Sequence, residues 1–291
     1  MNPQQQAAER TMHAQDRVDL HMHTTYSDGH WAPAELFDHL AAQQFRVVAV
    51  TDHDRVDTFA EMQALGAKRG ITVIPAVEVT TDWDGQMAHL LCYGFDASHG
   101  ALARVTRQIH DGQLANAQAV HAELLRRGYA FPRQTEVLAG KGGTINHPLD
   151  NINLLREHGY AADFRAGVNL AVEAGHTTIA APLAQAIAAA HADGGVALIA
   201  HPGRKEKGFT LYDPPMLDHV RAAGLPLDGI EVYYPLYTAE QVAEYAAYVA
   251  QHGWLASSGS DSHGPRQRFP IPYTASQIEP LLERLGFSVQ D

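Results

Sequence analysis

Residues 18–29 read VDLHMHTTYSDG, a short apolar run that ends on His21 and His23 and passes into a Ser-Asp-Gly turn carrying Asp28. On a strand, alternate side chains share a face, so the two histidines project together and can chelate one ion. Similar strand ends return in AVTDHD at 49–54, LIAHPGR at 198–204 and SSGSDSHG at 257–264. Each run gives way to histidine, in three of the four with aspartate beside it or two residues away. Such repetition points to one metal site shared by several strands.

The runs at 17–23, 46–52, 71–78, 86–93, 196–201, 229–233 and 254–260 are apolar and β-branched, and they alternate with helical patterns. This predicts parallel βαβ units and an α/β fold. Pro33 opens one helical pattern, while Gly70, Gly194 and Gly253 stop others. Asp84–Gly85 reads as a tight turn between two neighbouring strands. About seven strands make a barrel, whose chemistry would lie at the carboxyl ends of the strands. From 101 to 176 the strand pattern lapses into helical stretches around a Gly-rich loop. The predicted organisation is a disordered tail at 1–16, a barrel domain formed by 17–100 and 177–291, and a helical subdomain inserted at 101–176.

The 291 residues, 45% of them hydrophobic, are sufficient for a sizeable core. No run approaches the roughly 20 apolar residues of a membrane span, and the first segment lacks the basic start and apolar centre of a secretory signal. A single cysteine, Cys92, leaves no intramolecular disulfide and no thiolate metal site, which fits a reducing cytoplasm. Any metal must be held by nitrogen and oxygen. A formal charge of −12 disfavours binding a long nucleic-acid backbone but permits a small anion at a local cationic site.

Further candidate ligands occupy the other strand ends. His53 lies between Asp52 and Asp54. Glu78 sits in the apolar run IPAVEVT, where burial would be costly unless the carboxylate is paired or metal-bound. His89 lies on the strand after the turn, and His201 follows four apolar residues in LIAH. Asp261 and His263 stand two apart near the end of the last run. Taken singly, each has an ordinary alternative: a half-exposed strand histidine, an Asx-type cap at Asp28, or an edge-strand glutamate facing water. Most of the 18 histidines have no motif around them and read as surface or core residues.

The ordered set HMH, SDG, TDHD, VEV, AHL, AHPGR, IEVYY and GSDSHG resembles the polymerase-and-histidinol-phosphatase (PHP) superfamily, from about residue 17 to about residue 265. The resemblance implies a distorted (β/α)7 barrel with a trinuclear centre of manganese, iron or zinc. By motif, His21, His23, Glu78 and Asp261 would hold one ion. Glu78 would bridge to a second, held also by His89 and His201, and Asp28, His53 and His263 would hold the third. The implied activity is phosphate ester hydrolysis by a metal-bound hydroxide, generated where Glu78, His89 and His201 meet. Two alternatives are a non-catalytic metal-binding domain of the same family and an amidohydrolase-type enzyme cleaving a C–N bond.

The helical insertion is similar to that of family members acting on nucleoside 3′,5′-bisphosphates or on RNA 5′ ends, which implies a small phosphorylated substrate such as a nucleotide or sugar phosphate. Those relatives carry Gly-Arg-Pro-His in the insertion. Here the matching stretch is GGTINHPLDN, with His147 on the histidine and Ile145 on the arginine position. Isoleucine cannot make a bidentate phosphate contact. Arg204 and Lys141 are the alternative phosphate ligands, Glu231 a candidate support for a ligand histidine, and Tyr233 and Tyr234 candidates for stacking on a base.

Overall fold

The computed structural model describes residues 10–205, 208–265 and 267–291. Its strands are β1 (Thr11–His13), β2 (Arg17–Asp19), β3 (Phe45–Val48), β4 (Thr72–Val73), β5 (Ala76–Trp83), β6 (Gln86–Tyr93), β7 (Ala181–Pro182), β8 (Val196–Ile199), β9 (Gly229–Tyr233), β10 (Leu255–Ser258), β11 (Tyr273–Thr274) and β12 (Ser288–Gln290). The helices are α1 (Pro33–Ala42), α2 (Phe59–Ala67), α3 (Ala101–Arg126), α4 (Gln134–Val137), α5 (Pro148–Glu157), α6 (Phe164–Glu173), α7 (Leu183–Ala192), α8 (Pro214–Ala222), α9 (Ala239–His252) and α10 (Glu279–Arg284). This is the mixed α/β architecture that the alternating pattern predicts.

The strands form a six-stranded sheet ordered β10-β9-β8-β6-β5-β7, a four-stranded sheet ordered β11-β2-β3-β4, and the pair β1-β12. Parallel pairing dominates, interrupted where β6 runs antiparallel to β5 and β8 and where β11 runs antiparallel to β2. The β5–β6 hairpin is closed by Asp84 (φ 55°) and Gly85 (φ 73°), the left-handed pair that a two-residue turn matching strand twist requires. The two main sheets touch along two seams. One is the parallel bridge Met22–Ser262, flanked by the hydrogen bond from Asp261 N to His21 O at 2.8 Å. The other is the bridge His53–Glu78, with Glu78 N donating to Thr51 O at 3.1 Å. Met22, His53 and Ser262 lie just past their strands and Glu78 lies within β5, so the seams bring the stretches that carry His21, His53 and Asp261 to Glu78.

Between the sheets lie Leu20, Val47, Leu91 and Leu198, all essentially without exposure, capped by Ile278, Leu281 and Leu282. Burying such side chains contributes about 1.5–3 kcal/mol each. A second cluster lies under α3, α7 and α9 and includes Leu90, Ile187 and Val249. Helix α3 serves two cores. Leu102, Val105 and Ile109 pack into this second cluster, whereas Ala117, Val120 and Leu124 pack with Ile152, Leu155 and Ala171 of α5 and α6.

Three expectations about elements need correction. The run 71–78 divides into β4 and β5 at Pro75, which has no N–H to give a strand ladder. The runs 17–23, 46–52, 196–201 and 254–260 end early, at Asp19, Val48, Ile199 and Ser258. Of the anticipated tail at 1–16, residues 1–9 lie outside the described residues, but Thr11–His13 pairs in parallel with Ser288–Gln290.

Gly259 is where β10 leaves its sheet to pass beside β2. A Cβ there would lie 2.1 Å from His21 Cβ and 2.7 Å from Glu231 Oε1, so no side chain fits unless the histidine moves. Gly259→Ala should cost about 1–3 kcal/mol through overpacking, read as a lower denaturation midpoint. An unchanged midpoint would refute this close packing.

Candidate metal centre

All nine donor residues picked out from the sequence meet where the two seams converge. Glu78, 1% exposed, is central. Its Oε2 lies 3.0 Å from both His21 Nε2 and His23 Nε2, and its Oε1 lies 2.9 Å from His89 Nδ1 and 3.0 Å from His201 Nε2. Asp261 Oδ1 flanks the first pair at 3.5 Å from His21 and 3.4 Å from His23. Asp28 Oδ2 lies 3.2 Å from His263 Nε2 and 3.7 Å from His53 Nε2. Three groups have donor atoms close enough to share an ion: His21-His23-Glu78-Asp261, His23-Asp28-His53-His263 and His53-Glu78-His89. His23 and His53 thus stand between neighbouring groups.

The donor atoms have the character of ligands. His21 Nδ1 donates to Glu231 Oε1 at 2.9 Å, which in the neutral ring leaves Nε2 with its lone pair facing Glu78 and His23. His21 Nε2 and His23 Nε2 face each other at 3.2 Å. His263 Nδ1 lies 3.0 Å from the Asp261 carbonyl, which likewise frees Nε2 toward Asp28. The Nδ1 atoms of His23 and His53 are buried with no hydrogen-bond partner, and that of His89 meets only the Glu78 carboxylate, at an angle poor for a hydrogen bond. Unpartnered buried nitrogens carry a desolvation cost that a cation would offset.

The electrostatics agree. Burial raises the pKa of Glu78, but the surrounding histidines, His21 first, outweigh it and hold the carboxyl well below its usual range. Asp28 is likewise held low against burial, chiefly by His263 and His53. Burial opposes charge on His23, yet Asp261 and Glu78 lift it to about 10. Three buried carboxylates require compensating positive charge, which protonated imidazole or divalent cations can supply. Nitrogen and oxygen donors without thiolate suit manganese, iron or zinc. The residues therefore fit a metal centre.

Other acidic groups set the positions of these side chains. Glu231, singled out as a support, uses Oε1 on His21 and accepts from His201 N with Oε2 at 2.8 Å. Sequence reading missed three buried aspartates. Asp19 accepts from the backbone N–H of His21, Ser260 and Ile271. Asp52 accepts from Thr24 N, Thr24 Oγ1 and Ser27 Oγ, fixing the loop that carries Asp28. Asp54 accepts from Thr80 N, Thr80 Oγ1 and Gln113 Nε2 of α3. Burial pushes Asp19 and Asp54 up to about 6 against these hydrogen bonds. Their only sequence signal is position: each is adjacent to, or two residues from, a donor. Asp54, His201 and Asp261 also hold left-handed φ values of 54°, 31° and 51°, conformations tolerated where packing and hydrogen bonds over-determine them.

The centre floors a cavity of about 740 Å³ whose walls include Arg204, Tyr234, Arg268 and Arg156. Tyr234, considered for base stacking, donates its hydroxyl to Asp261 Oδ2 at 2.9 Å. Tyr233 packs in the core. Arg204 lies over the Phe209 ring at 4.6 Å. His147 caps α5, its Nδ1 accepting from Leu149 N, and its ring stacks 6.3 Å from that of His53. Lys141 must be corrected. It is half-buried, and its ammonium donates to Asp150 Oδ1 at 2.9 Å and Ser27 O at 2.5 Å; it is not among the residues lining the cavity.

Among the described residues, no helix is long and apolar enough to cross a membrane. The chain is 33% identical to the 3′,5′-nucleoside bisphosphate phosphatase of Chromobacterium violaceum, over 85% of this chain and 87% of that one. It is 26% identical to the 5′-3′ exoribonuclease Rnm of Escherichia coli, over 85% of each chain. A solved structure from Chromobacterium violaceum, described as an amidohydrolase with bound sulfate and no metal, superposes with a TM-score of 0.73 at 30% identity, covering 88% of this chain and 91% of the other. The model of the PHP domain matches residues 19–192, more than half of the chain, and with a relative above 30% identity along most of its length the chain belongs to the PHP domain family.

Proposed function

We propose that this centre is the active site of a metal-dependent phosphoesterase, and that its nine donors hold three divalent ions. The observation that carries the reading is the placement of Glu78, with one carboxylate oxygen toward His21 and His23 and the other toward His89 and His201. That is the geometry a bridging ligand needs. Bound divalent ions would supply Lewis acidity, lowering the pKa of water from about 15.7 toward about 7 and offsetting charge on a phosphoryl group. In the same reading the two sheets are the halves of a distorted barrel, with residues 101–176 as its helical insertion. Manganese, iron and zinc are the candidate ions, and a reducing cytoplasm suits the buried, unpaired Cys92.

The protein's own groups orient the reaction. Glu231 and the Asp261 carbonyl hold His21 and His263 with Nε2 inward. Tyr234 fixes the Asp261 carboxylate, and Arg204 and Arg268 line the cavity as cations suited to phosphate oxygens. His147, whose Nδ1 accepts a backbone N–H, carries its proton on Nε2 and can offer that N–H as a hydrogen bond to a substrate oxygen. Burial lowers its pKa to about 4, so it does this as a neutral donor.

The substrate class is a small phosphate ester, with nucleoside bisphosphates foremost. Their hydrolase in Chromobacterium violaceum is the relative at 33% identity. A net charge of −12 weighs against a long RNA, although RNA is the named substrate of the more distant Escherichia coli relative. The amidohydrolase description of a solved relative keeps C–N bond hydrolysis as the competing reading.

With added manganese, a panel of nucleotides and sugar phosphates should release phosphate faster than a matched panel of amides and cyclic ureides is opened, and the reverse ranking would overturn the proposal. Glu78→Ala should lose two of the three ions together in metal analysis, whereas retention of the full complement would remove the bridging role. Because His147 binds fewer protons when folded between about pH 4 and its ordinary 6.5, its contribution to stability is complete above that range. That contribution declines as pH falls, so His147→Gln should flatten the loss of stability measured by urea denaturation from pH 7 to 4.5. Parallel curves would show that the ring is not held neutral.

A further inference from the structure

The helical segment contributes one wall of the cavity above the metal centre. Leu149, Asn153 and Arg156 recur along α5 at helical spacing and all line that cavity, as does Phe164 at the start of α6. Ile145 does not. It is 7% exposed and packed among Val120, Leu155 and Ala171, so the position that carries arginine in related insertions is here part of an apolar core.

Arg156 has the opposite surroundings. It is exposed on the cavity wall, and among the described residues no carboxylate pairs with it. Other arginines of the same segment are engaged: Arg126 and Arg127 with Glu123, and Arg133 with Glu136. Beside it the wall is apolar and open. Phe164 is 45% exposed and Leu236 is 68% exposed, and both line this cavity. Large apolar side chains left in contact with solvent on the rim of a polar cavity suit the faces of an organic ligand. A cation and an apolar rim on one cavity, above a centre suited to a phosphoryl group, match a molecule that carries a second anionic group and, beside the two, a flat apolar ring.

We propose that Arg156 grips the second phosphate of a nucleoside bisphosphate, replacing the contact that Ile145 cannot make, and that Phe164 and Leu236 pack against the base. The inference rests on the phosphoesterase reading and specifies its substrate. The guanidinium offers two parallel N–H donors to a phosphate, a fork that lysine lacks.

The test compares adenosine 3′,5′-bisphosphate, adenosine 5′-monophosphate and glycerol 3-phosphate on the metal-loaded enzyme. Arg156→Ala should raise KM for the bisphosphate about 10- to 100-fold, the range expected for losing a hydrogen-bonded charge partner, while leaving the two monophosphates unchanged. Arg156→Lys should recover part of the loss. Phe164→Ala should weaken both adenosine compounds and spare glycerol 3-phosphate. Calorimetric titration of the bisphosphate into the same proteins gives a readout independent of turnover, and its affinity should fall in parallel. Equal losses on all three substrates, or unaltered bisphosphate affinity in Arg156→Ala, would overturn the assignment. If the unaltered enzyme hydrolyses none of them, the phosphoesterase reading itself fails, and the titration still decides whether Arg156 binds the second phosphate.

Discussion

A carboxylate with 1% exposure cannot remain charged without positive partners, and Glu78 is that carboxylate. Removing such a group from water costs several kcal/mol, and attraction to nearby positive charge recovers it only in good geometry. Glu78 stands on β5 beside the seam where Glu78 N donates to Thr51 O and Glu78 O accepts from Asp54 N. The strand pairing that joins the two sheets therefore also fixes the most costly charge in the fold. Histidines from both sheets must close around it, and the remainder of the centre follows from that requirement.

Closing so many imidazoles around one carboxylate demands orientation. Asp19, Asp52, Asp54 and Glu231 provide it, using nearly every acceptor lobe on backbone N–H groups, hydroxyls and ring nitrogens. Each is itself a buried acid, so the ordering of the donors is bought with further desolvation. Left-handed backbone at His201 and Asp261 has the same logic: the chain turns sharply at the strand end to aim a side chain inward. A glycine is needed at 259 because the crowding leaves no room for a Cβ beside His21.

The cluster around Glu78 was legible because alternate spacing and residue type coincide. His21 and His23 sit two apart at a strand end, and Asp261 and His263 repeat the spacing beyond β10. The supporting aspartates were not, since an Asp-His-Asp sequence does not say which carboxylate meets the ion and which turns back to the loops. Tyr234 was read for its ring, but its hydroxyl makes the decisive contact with Asp261. Lys141 was read as a free cation because its partner Asp150 lies nine residues on, across a turn whose path local sequence does not specify. The pairing of Thr11–His13 with Ser288–Gln290 joins the two ends of the described chain, a contact no local pattern encodes.

The helical segment is fastened to the loops that carry the donors. Lys141 reaches the carbonyl of Ser27, next to Asp28, and Gln113 reaches Asp54, next to His53. Both links end beside a residue of the candidate centre without using one. The wall over the cavity can thus differ in chemistry without disturbing the geometry of the candidate centre, and Ile145 belongs to the segment's own apolar core. Conversely, Arg156 is exposed while Ile152 and Leu155 of the same helix are buried in the segment's core, so a cation there reaches the cavity without entering that packing. The candidate centre and the wall above it thus belong to two apolar cores joined by α3, with polar contacts at Ser27 and Asp54 fastening one to the loops of the other.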